Sequence, residues 1–118
     1  MKNTHLTLIL LLLTSCTSKE VQLRVRNSSA YTYDSVSVNT SGGENTYGSV
    51  PAGAVSDYKT FDFAYRYAYI SLKIDTVSYI LQPIDYVGET KLKSGNYTYE
   101  VSVYDTATHQ LGLTLVED

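Results

Sequence analysis

The sequence predicts an all-β domain, a single antiparallel β-sandwich of seven or eight strands. Three observations carry this expectation. Apolar residues recur with period two over most of the chain, turn residues interrupt them at short intervals, and helical periodicity is nearly absent. The alternating stretches are rich in β-branched residues and tyrosine, the types that suit a half-buried pleated surface.

The first strand is read over residues 21–27, where Val21, Leu23 and Val25 take one face and Gln22, Arg24 and Arg26 the other. A second covers residues 34–40 around Val36 and Val38. Ser41-Gly42-Gly43 then supplies a turn, and a third strand, residues 44–50, runs into Pro51-Ala52-Gly53. A fourth is expected over residues 55–63. The clearest alternation spans residues 67–74, with Ala68, Ile70, Leu72 and Ile74 on one side and Tyr67, Tyr69, Ser71 and Lys73 on the other. Asp75-Thr76 is a tight turn. Residues 77–82 return antiparallel and stop at Pro83, which has no amide proton for a sheet ladder. Residues 84–93 form an arch, and the last strands, 97–104 and 111–116, are joined by the polar turn 105–110.

Ahead of these elements lie Lys2, an apolar run from Leu6 to Leu13, and small residues before the lone cysteine. A basic start, a short hydrophobic stretch and small residues make a secretory signal. The run is far short of the roughly 20 residues that cross a bilayer as a helix. Leu13-Thr14-Ser15-Cys16 resembles a bacterial lipobox, in which the cysteine thiol is lipidated and the peptide is cut on its N-terminal side. The resemblance implies a signal peptide over residues 1–15, a lipidated Cys16 with a short tether over residues 16–20, and the sandwich domain over residues 21–118. It also implies a bacterial cell envelope protein held in a membrane, the outer membrane being the expected one and its face undetermined. At about 0.8 kcal/mol per buried methylene, the three acyl chains of such an anchor hold a protein essentially permanently.

Nine Lys and Arg against twelve Asp and Glu give a net charge of −3. Cleavage removes Lys2 alone and leaves the mature chain more acidic, which speaks against a nucleic-acid partner. With Cys16 acylated no second thiol exists, so the domain must be stable without a disulfide.

Leu92-Lys93-Ser94-Gly95-Asn96-Tyr97-Thr98-Tyr99 resembles the entry to a late strand in immunoglobulin-like and transthyretin-like sandwiches, where a leucine, a glycine and a tyrosine build a tyrosine corner. The resemblance implies a turn at Gly95 and a Tyr97 ring that enters the core while its hydroxyl reaches back to the arch. Taken whole, the precursor is similar to small Gram-negative envelope lipoproteins that carry one such sandwich. Tyr47-Gly48-Ser49-Val50-Pro51-Ala52-Gly53 is similar to phrases that recur in them.

Candidate chemistry is sparse. Asp57, Asp62, Asp75, Asp85, Glu89 and Asp105 supply hard oxygen atoms, but not in the spacing of a calcium loop. His109 is the one histidine left after cleavage, too few for zinc with no free thiol to join it; it falls in the expected turn between the last strands, and no nucleophile elbow or phosphate-cradling glycine loop accompanies it. Asp85 and Glu89 are the carboxylate pair nearest to acid–base use, without sign of a cleft. The reading is therefore non-enzymatic, with no cofactor and no metal. Asn27-Ser28-Ser29 and Asn96-Tyr97-Thr98 match the eukaryotic glycosylation triplet, a match that a bacterial anchor makes accidental.

Twelve tyrosines and no tryptophan are the most unusual compositional feature. Tyr65, Tyr67 and Tyr69 fall on one side if the strand extends that far, forming a candidate aromatic row for a protein or glycan partner. The leading expectation is thus a lipid-anchored binding or structural accessory. The alternatives are a fimbrial or adhesin-like subunit assembled by strand exchange, and a glycan-binding module.

Overall fold

The computed structural model describes residues 20–83 and 89–118. The signal segment, Cys16 and residues 84–88 of the expected arch lie outside the described residues. Among the described residues eight strands form, all within one sheet: β1 (Val21–Asn27), β2 (Ser35–Asn39), β3 (Glu44–Tyr47), β4 (Lys59–Phe61), β5 (Tyr69–Ile74), β6 (Val77–Leu81), β7 (Gly95–Asp105) and β8 (Gln110–Glu117). Their order is β3-β2-β5-β6-β8-β7-β1-β4.

The sheet curls until its two edge strands meet. Asn45 on β3 donates its side-chain amide to the Thr60 carbonyl on β4 at 2.9 Å, so the structure is nearly a closed barrel. This contact brings the β3 and β4 edges together, the kind of edge that makes open sheets sticky. The expected all-β class is observed, while the pairing is mixed. β1 runs parallel to β7 from Val21 opposite Gly95 to Asn27 opposite Val101, and β6 meets β8 in parallel at a single pair, Ile80 opposite Gln110. Period-two alternation is the same for either direction, which is why the pattern could not announce the parallel seams.

The core follows from the alternation. Val21, Leu23 and Val25 of β1, Val36 and Val38 of β2, Ile70 and Leu72 of β5, and Val101 of β7 are fully or almost fully buried. Each contributes on the order of 1.5–3 kcal/mol of hydrophobic stabilisation relative to exposure. β5 and β6 join through Asp75 and Thr76, both with positive φ (49° and 68°), the twist that two-residue hairpins require.

Three strands are clearly shorter than expected: β3 stops at Tyr47 instead of Val50, and β4 and β5 start late for a local reason in each case. Before β4, Ser56 takes over part of the ladder. Its amide donates to the Val25 carbonyl and its hydroxyl accepts from the Val25 amide, at 2.8 and 2.9 Å. Before β5, the carbonyls of Phe63, Ala64 and Tyr65 are bound by the Thr40 hydroxyl, the Leu92 amide and the Tyr99 phenol, at 2.7, 2.8 and 2.7 Å. Residues 62–68 therefore cross one end of the barrel as irregular chain instead of extending β5.

Candidate functional site

Four of the twelve tyrosines are explained by the interior. Tyr33, Tyr47, Tyr97 and Tyr99 are buried, and each phenol donates to a main-chain carbonyl: Val101, Leu23, Lys93 and Tyr65, at 2.7, 2.7, 2.8 and 2.7 Å. The carbonyls of Lys93 and Tyr65 lie outside the strands, that of Val101 also accepts from the Ser28 amide, and leaving a buried carbonyl unpaired costs about 1–3 kcal/mol. Tyrosine fills volume and supplies a hydrogen-bond donor in one residue. Burial pushes the Tyr47 phenol far above its ordinary value and raises those of Tyr33 and Tyr97 as well, so all three stay neutral donors.

The segment Leu92, Gly95 and Tyr97 takes the following geometry. Gly95 has φ of 152°, and a Cβ there would rest 3.8 Å from the Tyr97 ring. Leu92 is half-buried against the core, and Tyr97 reaches back four residues to the Lys93 carbonyl. The residues tie the arch to the start of β7.

Tyr65, Tyr67 and Tyr69 do not share one strand. Tyr69 opens β5 opposite Asn39 and is half-buried. Tyr65 is also half-buried, its ring edge-on to Phe63 at 5.8 Å between centroids. Tyr67 is 37% exposed and donates to a Glu89 carboxylate oxygen at 2.8 Å. Its ring lines a hollow of about 220 Å³ together with Leu81, Pro83 and Leu113. These three partners were not legible as a site. Leu113 belongs to the alternating face of β8 and Pro83 read only as a strand stop, so nothing in their spacing tied them to Tyr67.

A second hollow, of about 480 Å³, opens where the arch passes the end of β8. Arg66, Lys91, Lys93, Leu92, Leu115 and Glu117 are among its walls. Lys91 holds its ammonium 4.0 Å above the Phe63 ring. On the far side of β1 the Arg24 guanidinium donates to the Thr98 hydroxyl, which donates in turn to Asp118. Burial alone would raise the Asp118 carboxyl. Hydrogen bonds from Tyr58 and Thr98, with Arg24 and Arg26 nearby, outweigh it and hold the group below the usual carboxylate range.

Among the described residues no three His, Cys, Asp or Glu side chains converge as metal ligands. Asp85 lies outside the described residues, and Glu89 accepts from Tyr67. His109, in the β7–β8 turn, packs against Tyr79 at 5.0 Å between ring centroids. Asn27 is fully buried and its amide nitrogen is committed to two carbonyls.

No family model matches the chain, and no curated protein does. Among solved structures, the NMR structure of a protein from Eubacterium rectale is similar, with a TM-score of 0.59 and 10% identity over 80% of this chain and 88% of that one. At that identity the likeness concerns the fold alone.

Proposed function

We propose that this chain is a non-enzymatic lipoprotein of the bacterial envelope, anchored through Cys16, whose domain, on an immunoglobulin-like or transthyretin-like sandwich plan, binds a protein or glycan through the surface around Tyr67. The observation that carries the binding surface is the Tyr67 ring, exposed beside an apolar hollow walled by Leu81, Pro83 and Leu113. An exposed aromatic ring next to an apolar recess gives large contact area at low entropic cost.

Replacing Tyr67 and Tyr69 together with serine tests this. The far-ultraviolet spectrum and lipid attachment should be kept, while capture of the partner from native envelopes is lost. Unchanged capture by a folded double variant would remove this surface as the interface. Repeating the assay with purified oligosaccharide separates a glycan ligand from a protein one.

A specific observation favours strand exchange as a second reading. Among the described residues β8 is paired on its β6 side at Gln110 alone, so the rest of that eight-residue edge has no strand beside it. An incoming strand adds to such an edge by main-chain bonds. This reading predicts ladders of oligomers on gels of native protein, which an accessory acting as a monomer does not give.

A further inference from the structure

Which end of the barrel faces the lipid follows from register. Val21 lies opposite both Gly95 and Phe61, and Tyr97 lies opposite Glu117. The start of β1, the end of β4, the start of β7 and the end of β8 therefore share one end. Residues 62–68 and the described part of the arch cross that same end, tied together by the Leu92 amide on the Ala64 carbonyl. From Cys16 to Glu20 the chain has only four residue steps, which span roughly 14 Å at full extension. The eleven residues of β7 are about 36 Å long at strand rise, so an acylated Cys16 keeps this end near the membrane while the other end lies beyond the tether's reach.

The chemistry of this end suits a headgroup layer. Phe63 and Tyr65 sit here half-buried, and Arg66, Lys91 and Lys93 are exposed around the larger hollow. The ion pairs among the described residues are Arg24 with Asp118 and Arg26 with Glu100, so these three cations have no carboxylate partner there. Asp62 lines a smaller hollow together with Lys91, and Glu117 lines the larger one together with Arg66. Interspersed charges of both signs complement a zwitterionic lipid: cations meet phosphate and carboxylates meet ammonium. Aromatic rings and snorkelling Lys and Arg are what membrane interfaces select.

We propose that the domain stands end-on on a zwitterionic phospholipid surface, with residues 62–66 and 89–94 at headgroup level and Arg66, Lys91 and Lys93 on lipid phosphates. The inference rests on lipidation of Cys16. It leaves Tyr104, Ile80 and Val77, at 77%, 45% and 40% exposure, on the portion of the barrel turned away from the membrane.

The absence of tryptophan makes the test clean. The full chain, processed in a lipidating bacterial host, is reconstituted into phosphatidylethanolamine–phosphatidylcholine vesicles with brominated acyl chains. Single tryptophans are placed by Thr90→Trp, by Lys93→Trp as a second probe, and by Tyr104→Trp at the distal end. Emission from positions 90 and 93 should be largely lost relative to unbrominated vesicles, and emission from position 104 kept. Equal quenching at 104, or none at 90 and 93 in a protein that carries acyl label and floats with the vesicles, overturns the orientation and leaves the anchor standing. A protein that neither labels nor floats overturns both.

Discussion

Replacing Asn27 with aspartate is expected to lower stability by about 3 kcal/mol or more, the cost of losing two buried donated bonds and setting a charged oxygen without a donor against two carbonyls. The side chain is completely buried at the end of β1. Its amide donates to the carbonyls of Tyr31 and Val50, at 2.6 and 2.9 Å, and its oxygen accepts from the amide and hydroxyl of Ser29, both at 2.8 Å. Its backbone adds bonds to Ala54 and Gly53. One residue thus stitches together three stretches of loop, residues 29–31 and Val50 through its side chain and residues 53–54 through its backbone. A carboxylate would turn oxygen toward two carbonyl oxygens. Because a domain has only about 5–15 kcal/mol to lose, an unfolding midpoint at clearly lower urea is expected. Burial raises the folded-state pKa of the introduced aspartate above its unfolded value. The deficit relative to the parent protein should therefore shrink as pH falls toward about 4, where the acid regains a proton to donate. A difference under about 1 kcal/mol at neutral pH would show that Asn27 does not hold these loops.

Gly42→Ala is the second large effect, expected at about 3 kcal/mol through forced overpacking. Gly42 is buried in the β2–β3 turn. An added Cβ would stand 2.6 Å from Phe63 Cγ and 2.7 Å from Phe63 N, and closer still to the Phe63 carbonyl oxygen. Two of those atoms are backbone, pinned by the Asp62 amide on the Gly42 carbonyl and the Thr40 hydroxyl on the Phe63 carbonyl. Gly48→Ala is the matched control, since a Cβ there meets nothing within 4 Å. Thermal unfolding of the two variants side by side checks the difference, and equal midpoints would mean the turn can move away from residues 62–68.

These two residues also mark where sequence reading stops. The strands were legible because burial alternates with the residues: β1 begins and ends where its valines and leucine predict, and the β5–β6 hairpin turns at Asp75-Thr76. Asn27 read as the last residue of a strand and as half of an accidental triplet, since its partners at Tyr31 and Val50 are set by loop closure and not by spacing. Gly42 read as turn chemistry, whereas the space it lacks is taken by a residue 21 positions on, which no local pattern encodes. The aromatic row was split by the same contact. Residues 62–65 bond across the barrel end to Gly42, Thr40, Leu92 and Tyr99, and that long-range competition overrode an alternation otherwise good enough to extend β5. Tyr67 remained exposed, but its surroundings come from β6, β8 and Pro83.

The anchor is the premise on which both the binding role and the end-on stance depend. Metabolic labelling with a palmitate analogue, on the parent chain and on Cys16→Ser, tests it most directly. Label on the parent chain, none on the variant, and release of the variant from the membrane fraction is the predicted result. An unlabelled, freely soluble parent chain with Cys16 intact would contradict it.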